Sequence, residues 1–171
     1  MRLIYKFLLT ADAVAWMWVV YVINKDFSFL HLKSWVLVMI LIFVTVMLGL
    51  LMVWLTKKLG NESDVTSCKK CSLADGEFLP VYLGYFFVAL SVSNIITMVA
   101  VFIIVFIFTF LSGTQYFNPI FLLFGYHYYH VLTNNGTKIF VIRRGRIIRN
   151  PKDIELVNLK RINDTTFIER R

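Results

Sequence analysis

The sequence predicts a membrane all-α bundle of four transmembrane helices, the third of them short, with a small C-terminal cytosolic β-meander. Three observations carry this. The chain is 58% hydrophobic and 16% charged, against about half and about a quarter in an average soluble domain. The apolar residues are also clustered. No Asp, Glu, Lys or Arg lies between Glu77 and Lys138, and none from Ser34 to Thr56. A soluble chain of 171 residues could not bury two such runs in one core. Finally, the net charge of +8 is concentrated at the end, where Lys138 to Arg171 carries ten Lys/Arg against four Asp/Glu.

The first span is read at Leu3 to Ile23, about 30 Å of helix and so one hydrocarbon core. Met1-Arg2-Leu3-Ile4-Tyr5-Lys6 opens like a signal peptide. No small-x-small cleavage site follows, so the segment is expected to be retained. The second span, Trp35 to Leu55, places Trp35 and Trp54 near its two ends. They stand about 28 Å apart along a helix, the aromatic-belt pattern. Residues 57–78 read as a polar loop that holds Cys68-Lys69-Lys70-Cys71.

Leu79 to Val92 contains Pro80 and Gly84. It reads either as a short third helix or as a buried strand. Ile95 to Leu111 is an excellent span. Arg2, Lys6 and the basic tail favour a cytoplasmic position for both termini, which requires an even number of crossings and hence four. The bundle therefore occupies 1–112 and a basic β domain 113–171. Within that domain, Asn118-Pro119 is a turn or helix start, and Tyr126 to Thr133 is strand-like. Asn134-Asn135-Gly136 signals a hairpin, and Lys138 to Arg143 returns as the next strand. Arg146–Arg149, Ile154–Ile162 and Thr165–Ile168 complete a meander of four or five strands.

Few residues are placed for chemistry. Asp12 sits inside the first span, where a carboxylate costs at least ~2.5 kcal/mol and usually faces a bundle interior, a polar path or a partner. It reads as an assembly contact, a sensing or conducting group, or a carboxylate near a thinned edge. Cys68 and Cys71 supply half of a zinc site, a redox pair, or two ordinary thiols. His127 and His130, three apart on a strand, point to opposite faces, which is poor for shared ligation. No catalytic triad, phosphate loop or paired carboxylates occur, so neither an enzyme nor a cofactor is expected. Arg143, Arg144, Arg146 and Arg149, with Lys160 and Arg161, form the densest basic surface. It reads as a positive-inside signal, an anionic-lipid surface or a docking edge for a cytosolic partner. No recognition helix accompanies it, so sequence-specific nucleic-acid binding is not expected.

Three stretches carry a family resemblance: Glu77 to Leu83, Tyr116 to Tyr129 with its Asn118-Pro119 and Gly125-Tyr126 pairs, and Arg161 to Ile168. Their order, after two apolar spans and a polar loop, resembles the KwaA family, the membrane subunit of the Kiwa bacterial anti-phage system. The resemblance covers most of the chain and is strongest from 77 to 133. The cysteine pair does not map onto it. The resemblance implies a non-enzymatic inner-membrane sensor that detects membrane perturbation during infection and holds a cytosolic DNA-binding effector of the KwaB type. Its small bundle, with Asp12 inside, is expected to assemble as a homo-oligomer, with a tetramer as the working number. A small oligomeric channel lined by Asp12 is the alternative.

Overall fold

The computed structural model describes residues 2–26, 32–59, 68–112, 118–147, 156 and 158–169. Helices α1 (Arg2–Lys25), α2 (Ser34–Leu55), α3 (Phe78–Ser91) and α4 (Ile95–Ser112) lie within two residues of the sequence reading at every boundary. Leu79–Ser91 is thus helical and not a strand, and Val92 follows as its extended C-cap. A fifth helix, α5, spans Pro119–Leu123.

Among the described residues, three helical segments are long and apolar enough to cross a membrane: Leu3–Lys25, Ser34–Lys58 and Ile95–Ser112. With 14 residues, α3 is about 21 Å long, short of a full hydrocarbon core. It nevertheless runs beside α1 to the far end, where Asn24 Nδ2 donates to the Leu90 carbonyl at 3.0 Å. The opposite end brings Phe7 of α1 edge-on to Phe106 and Phe110 of α4, at 5.1 and 6.2 Å, so these two helices are antiparallel.

The helices differ in what surrounds them. Half of the apolar window of α1 is buried within the chain, against 17% for α2 and 6% for α4. This makes α1 the hub and leaves most of α2 and α4 facing outward, with Trp35, Met39, Phe43, Ile96, Phe108 and Leu111 all exposed. In water such a surface would aggregate; against acyl chains it is matched. The buried face of α2 is narrow. Thr45, Gly49, Met52 and the following Thr56 recur at helical spacing along it.

The sheet departs from a meander. Its strands are β1 (Cys68–Leu73), β2 (Tyr126–Thr133), β3 (Lys138–Arg144), β4 (Leu159–Arg161) and β5 (Thr166–Glu169), in the order β1-β2-β3-β5-β4. The β2–β3 hairpin is as expected, with Gly136 at φ +82° in its turn. Two features differ. The loop 57–78 contributes an edge strand, since β1 pairs antiparallel with β2. And β5 lies parallel to β3, so the chain crosses over instead of continuing to the next neighbour. Arg146 and Ile147 are not strand, and Ile148 and Arg149 lie outside the described residues.

The sheet has two faces. Tyr126, Tyr128, Phe140 and Ile142 pack with Tyr5, Leu9, Met52, Tyr82 and Phe121, against the helices. The opposite face gathers Tyr129, Val131, Ile139, Val141, Leu156, Leu159 and Phe167 into its own cluster. The sheet is therefore seated on the end of the bundle that holds the α1 N-terminus.

Candidate functional site

The junction between bundle and sheet is built on α5. Asn118 caps this helix, its side-chain oxygen accepting from the Ile120 amide at 2.9 Å, and Pro119 occupies the first turn. These are the residue types a helix start favours, because a short polar side chain satisfies a free amide and proline needs none. The same Asn118 donates from Nδ2 to Asp12 Oδ2 at 2.5 Å, and both residues are fully buried. Asp12 therefore finds its partner inside the chain. That bond uses Oδ2, and the other carboxylate oxygen, Oδ1, has no partner among the described residues.

Two packing contacts hold α5 in place. On one side it presses against α2 at Gly49. A Cβ there would stand 2.6 Å from Ile120 Cγ2, so only glycine admits this approach. On the other side Phe121 meets the Tyr126 ring at 5.5 Å. The connection to β2 is also polar. Tyr128 Oη donates to the Asn118 carbonyl at 2.8 Å and accepts from the Asn118 amide at 2.9 Å. Burial holds the Tyr128 phenol far above its usual pKa. The group stays neutral and keeps the proton it donates.

From Tyr128 the bonds continue to the turn before α3. The Tyr128 amide donates to Asp75 Oδ1 at 2.7 Å, and His127 Nδ1 meets Asp75 Oδ2 at 2.6 Å. His130 Nε2 engages Glu77 at 3.0 Å. The two histidines thus anchor the turn Asp75–Glu77 to β2, a role the sequence did not signal. Among the described residues, Tyr5 Oη, Asp12 Oδ1 and Trp16 Nε1 are buried without a hydrogen-bond partner. All three lie on one stripe of α1, seven and four residues apart.

The basic residues separate into distinct environments. Arg143 is buried, its Nε donating to Glu169 Oε2 at 2.7 Å. Arg144 and Arg146 are exposed. The Arg144 guanidinium stands over the Tyr126 ring at 5.9 Å, the ring that Phe121 of α5 touches. Lys160 is half-buried, and Arg161 pairs with Asp164 at 2.9 Å. Arg149 lies outside the described residues.

Cys68 and Cys71 lie on a strand and not in a polar loop. Residues three apart on a regular strand face opposite ways. Here a bulge between Cys68 and Lys70 resets the register, pairing Cys68 with Thr133 and Cys71 with Val131. Both thiols therefore sit on the face away from the helices, against the Val131 cluster. Burial is the main cause that pushes the Cys71 thiol up to about 11, with Cys68 beside it adding to the shift. Burial raises Cys68 as well. Such thiols are poor nucleophiles at neutral pH. Among the described residues no third His, Cys, Asp or Glu joins them as a metal set.

A family model described as anti-phage protein KwaA matches residues 5–168, nearly the whole chain. No curated protein and no solved structure matches. The match takes in Asp12 of α1, Asn118 before α5, strands β1 to β4, and β5 as far as Ile168. The chain belongs to the KwaA family of anti-phage proteins.

Proposed function

We propose that the chain is the membrane-embedded sensor and scaffold of an anti-phage system, detecting membrane perturbation and recruiting a cytosolic DNA-binding effector of the KwaB type. It acts by binding and by coupled movement, without catalysis of its own. One observation carries the reading. The α5 wedge is bonded to Asp12 of α1, jammed against Gly49 of α2, and packed through Phe121 on the ring beneath Arg144. A tilt of α1 against α2 therefore has a direct mechanical route to an exposed cation at the end of β3. Arginine suits docking because its planar guanidinium forms paired bonds with carboxylates.

The docking edge in this proposal is Arg144 and Arg146, with Arg149, Lys160 and Arg161 contributing. Arg143 is committed to Glu169 and serves the fold. The test is Arg144→Glu with Arg146→Glu in membranes that carry the effector. Recovery of effector with the membrane fraction is expected to fall at least tenfold, while insertion and sheet stability stay normal. Undiminished recovery at low and physiological salt would reduce these residues to a positive-inside signal.

Membrane placement follows the same reading. The chain crosses the inner membrane four times, α3 included, with both termini cytoplasmic. Support comes from α3, which reaches the level of Asn24 at the far end of α1, and from the clustering of basic residues at the sheet end. A compartment-specific reporter fused after Arg171 is expected to be active only in its cytoplasmic form. Periplasmic activity would reverse the orientation or remove α3 as a crossing.

The outward apolar faces of α2 and α4 also leave room for homo-oligomerisation, with a tetramer as the working number. A single-chain mass in mild detergent, with the fold intact, would exclude it. An oligomeric channel is the second reading, favoured by one observation, the unpartnered Asp12 Oδ1. Ion flux into liposomes carrying the purified chain, abolished by Asp12→Asn, would select that reading over the scaffold.

A further inference from the structure

The helix-facing side of the sheet extends beyond the bundle. Tyr128 and Ile142 are neighbours on β2 and β3, and their row is buried against the helices. The next row on the same face is Ser72, His130 and Phe140, and the one after it Lys70, Leu132 and Lys138. Phe140 still belongs to the helix-packed cluster, and successive rows are about 7 Å apart, so the last row stands about 7 Å past it. Over these two rows lies a cavity of about 480 Å³, lined by Lys70, Lys138, Ser72, His130, Leu132 and Phe140 among others. Its size is that of a small-molecule site.

The chemistry of the lining is amphiphilic. Lys70 and Lys138 flank Leu132 from the two neighbouring strands, about 10 Å apart at the backbone. Both are exposed, and neither forms an ion pair among the described residues. The nearby carboxylate of Glu77 is engaged by His130, so the ammonium groups set the cavity's charge. Ser72 and Thr165 add hydroxyls, while Leu132 and Phe140 add carbon surface. Two cations with hydroxyl donors over an apolar floor match a phosphate diester carried on a glycerol and acyl stem. The placement matches too. This face of the sheet rests on the helix ends, so where it overhangs them it turns toward the bilayer surface.

We propose that the cavity binds the phosphate headgroup of an anionic phospholipid. The site rests on the bundle's being in the membrane and not on effector recruitment. The experiment is amine acetylation of the full chain in nanodiscs, with each lysine's rate read by mass spectrometry. Discs of phosphatidylcholine alone are compared with discs that include phosphatidylglycerol. Lys70 and Lys138 are expected to react at least fivefold more slowly with the anionic lipid. Lys69, next in sequence but outside the cavity, is expected to change less than twofold. Leu132→Trp, which fills the cavity and keeps both lysines, is expected to abolish the difference. Equal rates in the two discs would overturn the site. So would an equal slowing of Lys69, which diffuse surface charge would produce. Protection by millimolar sn-glycerol 3-phosphate in phosphatidylcholine discs, as strong as that by the lipid, would overturn the lipid assignment in favour of a soluble phosphate.

Discussion

Arg143→Glu is expected to unfold the sheet and not merely to discharge its edge. The Arg143 side chain is 10% exposed and its partner Glu169 is 1% exposed, with 2.7 Å between Nε and Oε2. They join β3 to β5 across the parallel pairing that also aligns Val141 with Phe167. Breaking a buried pair by removing one partner costs about 3–5 kcal/mol. The reversal adds a second carboxylate beside Glu169 with no cation between them. Against a typical stability of about 5–15 kcal/mol, this is a large share. Thermal unfolding of the solubilised chain should show the transition lowered by many degrees or lost. Arg143→Met with Glu169→Met should recover most of the loss, since it leaves no charge stranded. An unchanged transition in Arg143→Glu would mean that the pair contributes nothing to the fold.

Gly49→Leu is expected to dislodge α5. Replacing a helical glycine normally gains about 1 kcal/mol in propensity. Here the first added carbon meets Ile120 Cγ2 at 2.6 Å, and Ile120 is a stiff β-branched side chain. Overpacking of this kind costs about 1–3 kcal/mol, and a leucine adds three more carbons to the same space. Moving α5 also withdraws Asn118 from Asp12, which leaves a buried carboxylate without its donor. The losses outweigh the propensity gain. Gly49→Ala should show a milder form of the defect, and Ile120→Ala should relieve it, because the clashing methyl is gone. A Gly49→Ala variant more stable than the parent would mean that α5 yields freely and is no wedge.

Pro80 and Gly84 left Leu79 to Val92 open between a short helix and a buried strand, whereas α1, α2 and α4 were legible as long apolar runs. Their boundaries need no tertiary information. The hairpin at Asn134-Asn135-Gly136 was equally local, since it requires a positive φ that Gly136 supplies. What escaped the sequence were the contacts between distant segments. The strand β1 is short, lies at an edge, and carries Lys69 and Lys70, so it has no apolar alternation to betray it. Its partners lie some sixty residues further on, on β2. The bulge that turns both cysteines to one face is set by that pairing and not by Cys-x-x-Cys itself. Likewise Arg143, Arg144 and Arg146 look alike in sequence. Strand register alone sends the first inward to Glu169 and leaves the other two outside. Asp12 was visible as a costly carboxylate, and its need for a hydrogen-bond partner was predictable. That the partner would be Asn118, a residue 106 positions away, was not.

In the proposed mechanism, bundle and sheet move as one coupled unit through α5. Hydrogen–deuterium exchange of the full chain in nanodiscs, parent against Gly49→Leu, tests it most directly. The parent is expected to protect the amides of 119–124 and of Tyr126–Thr133 together. In the variant, uptake should rise in both, and in Lys138–Arg144 beside Arg144's edge, while α4 stays unchanged. Faster uptake confined to 119–124, with the strands as protected as before, would contradict the claim and leave the sheet a passive appendage of the membrane bundle.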